Sequence, residues 1–165
     1  MSRFKNLLAI MVLTLMFTGC STKNNEKEKV INLYFLDSNA EYLIGEERYI
    51  KGVTPQKAIQ SLIEGPKSKE LTSSLPKELE VSDVSVKDGV AYVYINESVP
   101  LAEHGNYGSS TATRNIINSI SSTLILNKNF GIEKVKLEGD IGDILYGIDI
   151  NELFEVNMDL IKGNR

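Results

Sequence analysis

LEVSDVSVKDGVAYVYI, residues 79–95, decides the fold. Asp88-Gly89 sits between two runs of β-branched residues, the strong signal for a two-residue hairpin turn. Counting outward from that turn pairs Val86 with Ala91 and Val84 with Val93, so one face is apolar on both strands and belongs on a core. Leu79 and Val81 fall out of phase with Val84 and Val86. One extra residue near Ser82-Asp83, a bulge, brings them back to the same face. Tyr92 and Tyr94 alternate with Ala91, Val93 and Ile95 and therefore point the other way.

The flanking segments supply what covers the apolar face. Upstream, VINLYFLD (30–37) reads as a strand with Ile31, Leu33 and Phe35 on one side. SNAE turns the chain, and YLIGEERYI (42–50) returns as a second strand that Gly45 should make irregular. VTPQKAIQSLIEGP (53–66) is a helix with Thr54 as N-cap, Pro55 at the first helical position, and Gly65-Pro66 as the stop. Ala58, Ile59, Leu62 and Ile63 form its apolar stripe. Downstream, Val99 to Ser109 is a polar, glycine-containing loop. A long helix follows over 110–126, with Ala112, Ile116, Ile117, Ile120 and Leu124 on one side. EKVKLEGD (133–140) is a short strand with Val135 and Leu137 inward and Lys134 and Lys136 outward. DILYGIDINELFEVN (143–157) mixes apolar and acidic residues and should pack back on the domain.

The order strand, strand, helix, strand, strand, helix, strand predicts an α+β domain: a small sheet with two helices packed on one face. With helices on a single side, the Tyr92 and Tyr94 face is left wet, unless the first hairpin or the tail folds over it. Tyrosine combines apolar area with a polar tip, a mixture enriched at interfaces, so this pair is the candidate partner surface. The plainer reading is that tyrosine simply suits a strand.

The first residues do not belong to the fold. Arg3 and Lys5 precede an apolar run, Leu7 to Phe17, broken only by Thr14, and Thr18 and Gly19 follow. A run this short, with a basic front and a small-residue exit, is a signal peptide rather than a membrane span of about 20 residues. The single cysteine, Cys20, stands directly after it in FTGC, which resembles a bacterial lipobox with Phe17 where leucine is usual. That resemblance implies a lipid on the Cys20 sulfur and an anchor at the outer face of the cytoplasmic membrane. The other reading is a plain thiol after an ordinary signal. STKNNEKEK (21–29) has no apolar residue and serves as a flexible tether. The chain thus divides into a leader (1–19), the lipidated cysteine and tether (20–29), one domain (30–157) and a C-terminal tail (158–165).

Charge and residue counts narrow the partners. Taking Arg3 and Lys5 from 18 basic residues leaves 16 against 22 acidic ones, a formal charge of −6, which argues against a nucleic-acid partner. One cysteine and one histidine exclude a disulfide framework, a thiolate zinc cluster and a multi-histidine metal site. His104 lies near Ser109, Ser110 and Thr111, but no orienting carboxylate is placed beyond the adjacent Glu103; it reads as a solvated loop histidine. Asp140, Asp143 and Asp149 lack calcium-loop spacing. No cofactor and no catalytic constellation is expected.

Four stretches together resemble the GerMN domain of bacterial sporulation and spore germination lipoproteins. They are NLYFLDSNAEYLIGEERYI (32–50), AIQSLIEGPKSKELTSSLP (58–76), LEVSDVSVKDGVAYVYIN (79–96), and GIEKVKLEGD (131–140) with the later YGIDINELF (146–154). The resemblance covers nearly all of Val30 to Phe154, with one copy of a domain that the family's founding member has twice. It implies a likeness to the small α/β ring-building modules of the sporulation secretion apparatus, no enzymatic activity, and a role in assembly or docking on an envelope protein. The competing reading is an envelope enzyme or ligand-binding lipoprotein acting on cell-wall material.

Overall fold

A computed structural model of the chain describes residues 26–96, 109–139, 144–145 and 147–163. Strands β1 (Glu28–Asp37) and β2 (Leu43–Lys51) form an antiparallel hairpin. Helix α1 (Pro55–Glu64) and a short β3 (Leu71–Thr72) follow. Strands β4 (Val81–Lys87) and β5 (Val90–Ile95) make the second hairpin. Then come helix α2 (Ser110–Leu126), β6 (Lys134–Gly139), and the small β7 (Ile144–Leu145) and β8 (Ile148–Asp149) pair.

The second hairpin has the expected register, with Val86 opposite Ala91 and Val84 opposite Val93, and the register shifts between Val81 and Asp83. Asp88 (φ 52°) and Gly89 (φ 77°) both take the left-handed conformations of a type I′ turn. Helix α1 is also as read. The Thr54 hydroxyl accepts from the Lys57 N–H at 3.2 Å, and Ala58, Ile59 and Leu62 are buried. Gly45 departs from expectation. The β1–β2 register runs unbroken from Glu28 opposite Lys51 to Leu36 opposite Leu43. Gly45 lies opposite Tyr34, whose ring is 3.4 Å from where a Cβ would stand. The bare backbone seats the ring rather than kinking the strand.

The α+β architecture and the element order stand, with short strands added, but the strands do not form one sheet. They form two of three strands each, β2-β1-β3 and β4-β5-β6, with β5 and β6 parallel. The reason lies along β1. Beyond its two-residue pairing with β3, its free edge is taken by α2. The Asn32 N–H donates to Asn127 Oδ1 and the Tyr34 N–H to Thr123 Oγ1, both at 3.0 Å; Asn127 Nδ2 donates to the Asn32 carbonyl at 2.7 Å. Backbone groups that a strand would have satisfied are satisfied by side chains instead.

Both helices pack into one core that joins the sheets. Ile31, Leu33 and Phe35 of β1, Ala91, Val93 and Ile95 of β5, and Val135 and Leu137 of β6 close on the helical Leu62, Ile116, Ile120 and Leu124. Helix α2 is more enclosed than a one-sided stripe predicts: every residue from Ser119 to Ile125 is buried. Small hydroxyl side chains there let the backbone approach its neighbours closely. One of them bonds across the core, Ser74 Oγ to Ser119 Oγ at 2.6 Å.

Two devices tie down the periphery. On β2, Glu46 and Arg48 point inward, with side chains only 14% and 7% exposed. Glu46 accepts from Arg48 Nε at 2.6 Å and from the Lys67 and Ser68 N–H groups; Arg48 donates to the Gly65 carbonyl at 2.8 Å and lies over the Phe35 ring. The Gly65-Pro66 stop is therefore moored to the sheet. The C-terminal segment bridges the two sheets. Phe154 and Val135 exchange backbone hydrogen bonds of 2.7 and 2.9 Å, and the Lys162 N–H reaches the Leu43 carbonyl at 3.0 Å. Residues placed in the tail by the sequence thus share in the fold through Lys162.

Gly89→Val should lower stability by about 1–2 kcal/mol, the cost of a β-branched residue held at positive φ. Thermal melts check this, and an unchanged Tm would reject the turn. Glu46 gives a pH prediction. Burial pushes its pKa up, but the Ser68 and Lys67 N–H groups and the Arg48 guanidinium outweigh it and hold the carboxyl below its ordinary 4.5. A depressed folded pKa contributes stability that is complete above the unfolded value and lost as pH falls through the folded one. Urea midpoints should therefore fall as pH drops below about 4.5, and Glu46→Gln should flatten that decline while being less stable near neutrality. Parallel profiles for the two proteins would overturn the assignment.

Candidate docking face

The face of β4-β5-β6 turned away from the helices carries Tyr92 and Tyr94, both half-buried by their neighbours. The registers fix those neighbours. Tyr92 lies between Ser85 and Lys136, and Tyr94 lies between Asp83 and Glu138. Val90, nearer the turn, lies between Lys87 and Lys134. The face is thus graded, basic toward the hairpin turn and acidic toward the opposite end. Lys136 and Glu138 make an ion pair at 3.6 Å, and Lys134 pairs with Glu155 at 3.0 Å. The Glu138 carboxylate beside Tyr94, with some burial, holds the phenol above its ordinary pKa. Sequence alternation alone placed both rings on this side. The ladder of charges around them depends on which strands are neighbours, and that was not legible.

Ser109, considered beside His104, spends its hydroxyl on the Ala112 N–H as the N-cap of α2. His104 and Glu103 lie outside the described residues, as do Cys20, Asp140 and Asp143. Asp149 accepts from the Asn151 N–H at 2.9 Å in a local turn. Among the described residues no three histidine, cysteine or acidic side chains gather in a way that could hold a metal ion. Among the same residues no helix is long and apolar enough to cross a membrane. An open groove of about 330 Å³ lies where α1 meets the β4 bulge, between Gln60, Ile63, Leu79 and Asn96.

A family model described as Germane, sporulation and spore germination, matches residues 32–140. Among solved structures, the tandem GerMN domains of the sporulation protein GerM from Bacillus subtilis superpose with a TM-score of 0.58 at 19% identity. The match covers 78% of this chain and 46% of that one, so this chain spans about half of the tandem protein's length. The first GerMN domain of the same protein superposes with a TM-score of 0.55 at 19% identity, covering 78% of this chain and 96% of that one. A candidate lipoprotein of Clostridium perfringens gives a TM-score of 0.46 at 25% identity, covering 84% and 95%. No curated protein matches the chain. The two GerM structures share the fold described above.

If both tyrosines lie outside the core, Tyr92→Ser with Tyr94→Ser should keep a cooperative melt and cost about 1–2 kcal/mol, the scale of lost cross-strand contacts. Val93→Ser, between them but facing inward and fully buried, should cost more, because it leaves a hydroxyl in the core in place of packed methyls. Equal losses would show that the tyrosine face is core.

Proposed function

The chain belongs to the Germane family of sporulation and spore germination proteins, and from that membership we propose that it is a lipid-anchored envelope protein that works by docking another protein. The anchor is Cys20, reached through the tether, and it holds the domain at the outer face of the cytoplasmic membrane. The docking surface is the Tyr92 and Tyr94 face. The observation that carries this reading is the half-burial of two tyrosines on an open sheet face, framed by Lys136 and Glu138 of β6 on one side and Asp83 of β4 on the other. Such a face provides apolar area at its centre and charge at its rim, the composition of protein interfaces. Aromatic anchors surrounded by polar groups are also where binding energy concentrates. The partner expected is an envelope protein involved in assembly, during sporulation, germination or a related envelope process.

Two experiments test the two halves of the proposal. Cys20→Ser should abolish metabolic lipid labelling and leave the leader unprocessed by the lipoprotein pathway; labelling that persists would sink the anchor. Crosslinked pull-downs of the full, tagged protein from its own cells, in growth and in sporulation, should recover a partner that is lost when Tyr92 and Tyr94 are both serine. A partner recovered equally by both proteins would place the docking surface elsewhere.

A further inference from the structure

The outer edge of β2 has a feature that neither the family nor the tyrosine face accounts for. Leu43 turns its carbonyl outward, where it takes the Lys162 N–H. The two-residue period of a strand then turns the backbone groups of Gly45, Glu47, Tyr49 and Lys51 outward as well, while the residues between them bond to β1. Among the described residues the C-terminal segment reaches only Leu43, and the Lys51 carbonyl accepts from Lys57 Nζ at 2.8 Å. Among the described residues, the outward N–H and C=O groups of Gly45, Glu47 and Tyr49 have no partner. An open strand edge of this kind is a template for another strand.

The side chains along that edge say which strand. Glu47, Tyr49 and Lys51 share one face, and Tyr49 is 66% exposed beside Val30 at 48%, directly opposite on β1. Two copies of β2 laid antiparallel about Tyr49 place tyrosine against tyrosine. They also place each Glu47 against the Lys51 of the other copy, on both sides of the two-fold axis. Sliding the register so that Glu47 faces Glu47 sets like charges opposite each other, which is destabilising. The edge is complementary to itself in the Tyr49-centred register, as an isologous interface requires.

We propose that this chain forms a symmetric dimer by antiparallel pairing of β2 with β2, joining the two three-stranded sheets of β2, β1 and β3 into one. The surface is separate from the Tyr92 and Tyr94 face, which lies on the other sheet, so a dimer can still dock its partner. So short a ladder gives a dimer whose population rises with concentration.

Sedimentation of the full chain in detergent, over a range of concentrations, provides the test. The wild type should shift from monomer to dimer. Glu47→Lys alone and Lys51→Glu alone each bring like charges together and should stay monomeric where the wild type is dimeric. Both residues are exposed, so circular dichroism should be unchanged. An equimolar mixture of the two variants restores both opposite-charge pairs and should recover the dimer. A wild type that remains monomeric throughout, single variants that dimerise as the wild type does, or a mixture that stays monomeric would each overturn the proposal.

Discussion

The hydrogen bonds between the free edge of β1 and the side chains of Thr123, which accepts, and Asn127, which accepts and donates, hold the two sheets in their arrangement. A strand edge inside a domain must have its N–H and C=O groups satisfied, since each one left buried and unpaired costs about 1–3 kcal/mol. Here the end of a helix does it, with Thr123 and the C-cap residue Asn127, four apart and so on the same side of α2. That choice brings α2 against β1 and keeps β1 from pairing with the second hairpin. Two sheets around a central helix follow from it. So does the composition of α2: a helix pressed between sheets needs small side chains along its length, and Ser119 to Thr123 supply four of them around Ile120.

The same problem of edges is solved three other ways in this molecule. The bulge at Val81–Asp83 re-aims β4, and the Gln56 amide reaches the Val81 carbonyl at 3.0 Å. Phe154 covers β6. On β2, the inward-facing Glu46 and Arg48 place charge beneath the strand. Inward charges on an edge strand discourage indiscriminate pairing, because any close partner must accommodate them. Both are already fully engaged with the loop after α1, so they cost little where they are and would cost more if that loop were displaced. The ion pair thus works as a mooring, and the modest worth of a surface salt bridge is the wrong scale for it.

The core consumes the inner faces of both sheets and the second half of α2, which leaves the outward sheet faces and the edge of β2 uncovered among the described residues. Tyr92 and Tyr94 stand on the first and Tyr49 on the second. The likeness to the GerM domains is one of fold, and at 19% identity it says how the chain is built and not whom it meets. The docking reading rests instead on side chains of this chain and on its place in the family.

What the sequence determined by itself was local. The Asp88-Gly89 turn, the caps of α1, the bulge and the inward and outward alternation of β5 and β6 are each encoded within a few residues, by φ preferences, a capping hydroxyl and a period of two. The position of Tyr92 and Tyr94 on the outer face came from that alternation. Relations between distant segments arise only when the chain folds. Asn32 meets Asn127, Arg48 meets Gly65, Glu138 meets Tyr94, and Ile161 meets Leu43. None of these has a periodic or compositional signature. A threonine or asparagine in a helix reads as a weak helix former until a strand edge is laid beside it. A Glu-x-Arg pair in a strand likewise reads as surface charge until a loop folds over it. Their roles arise from desolvation and partner geometry, which exist only once the chain has closed on itself.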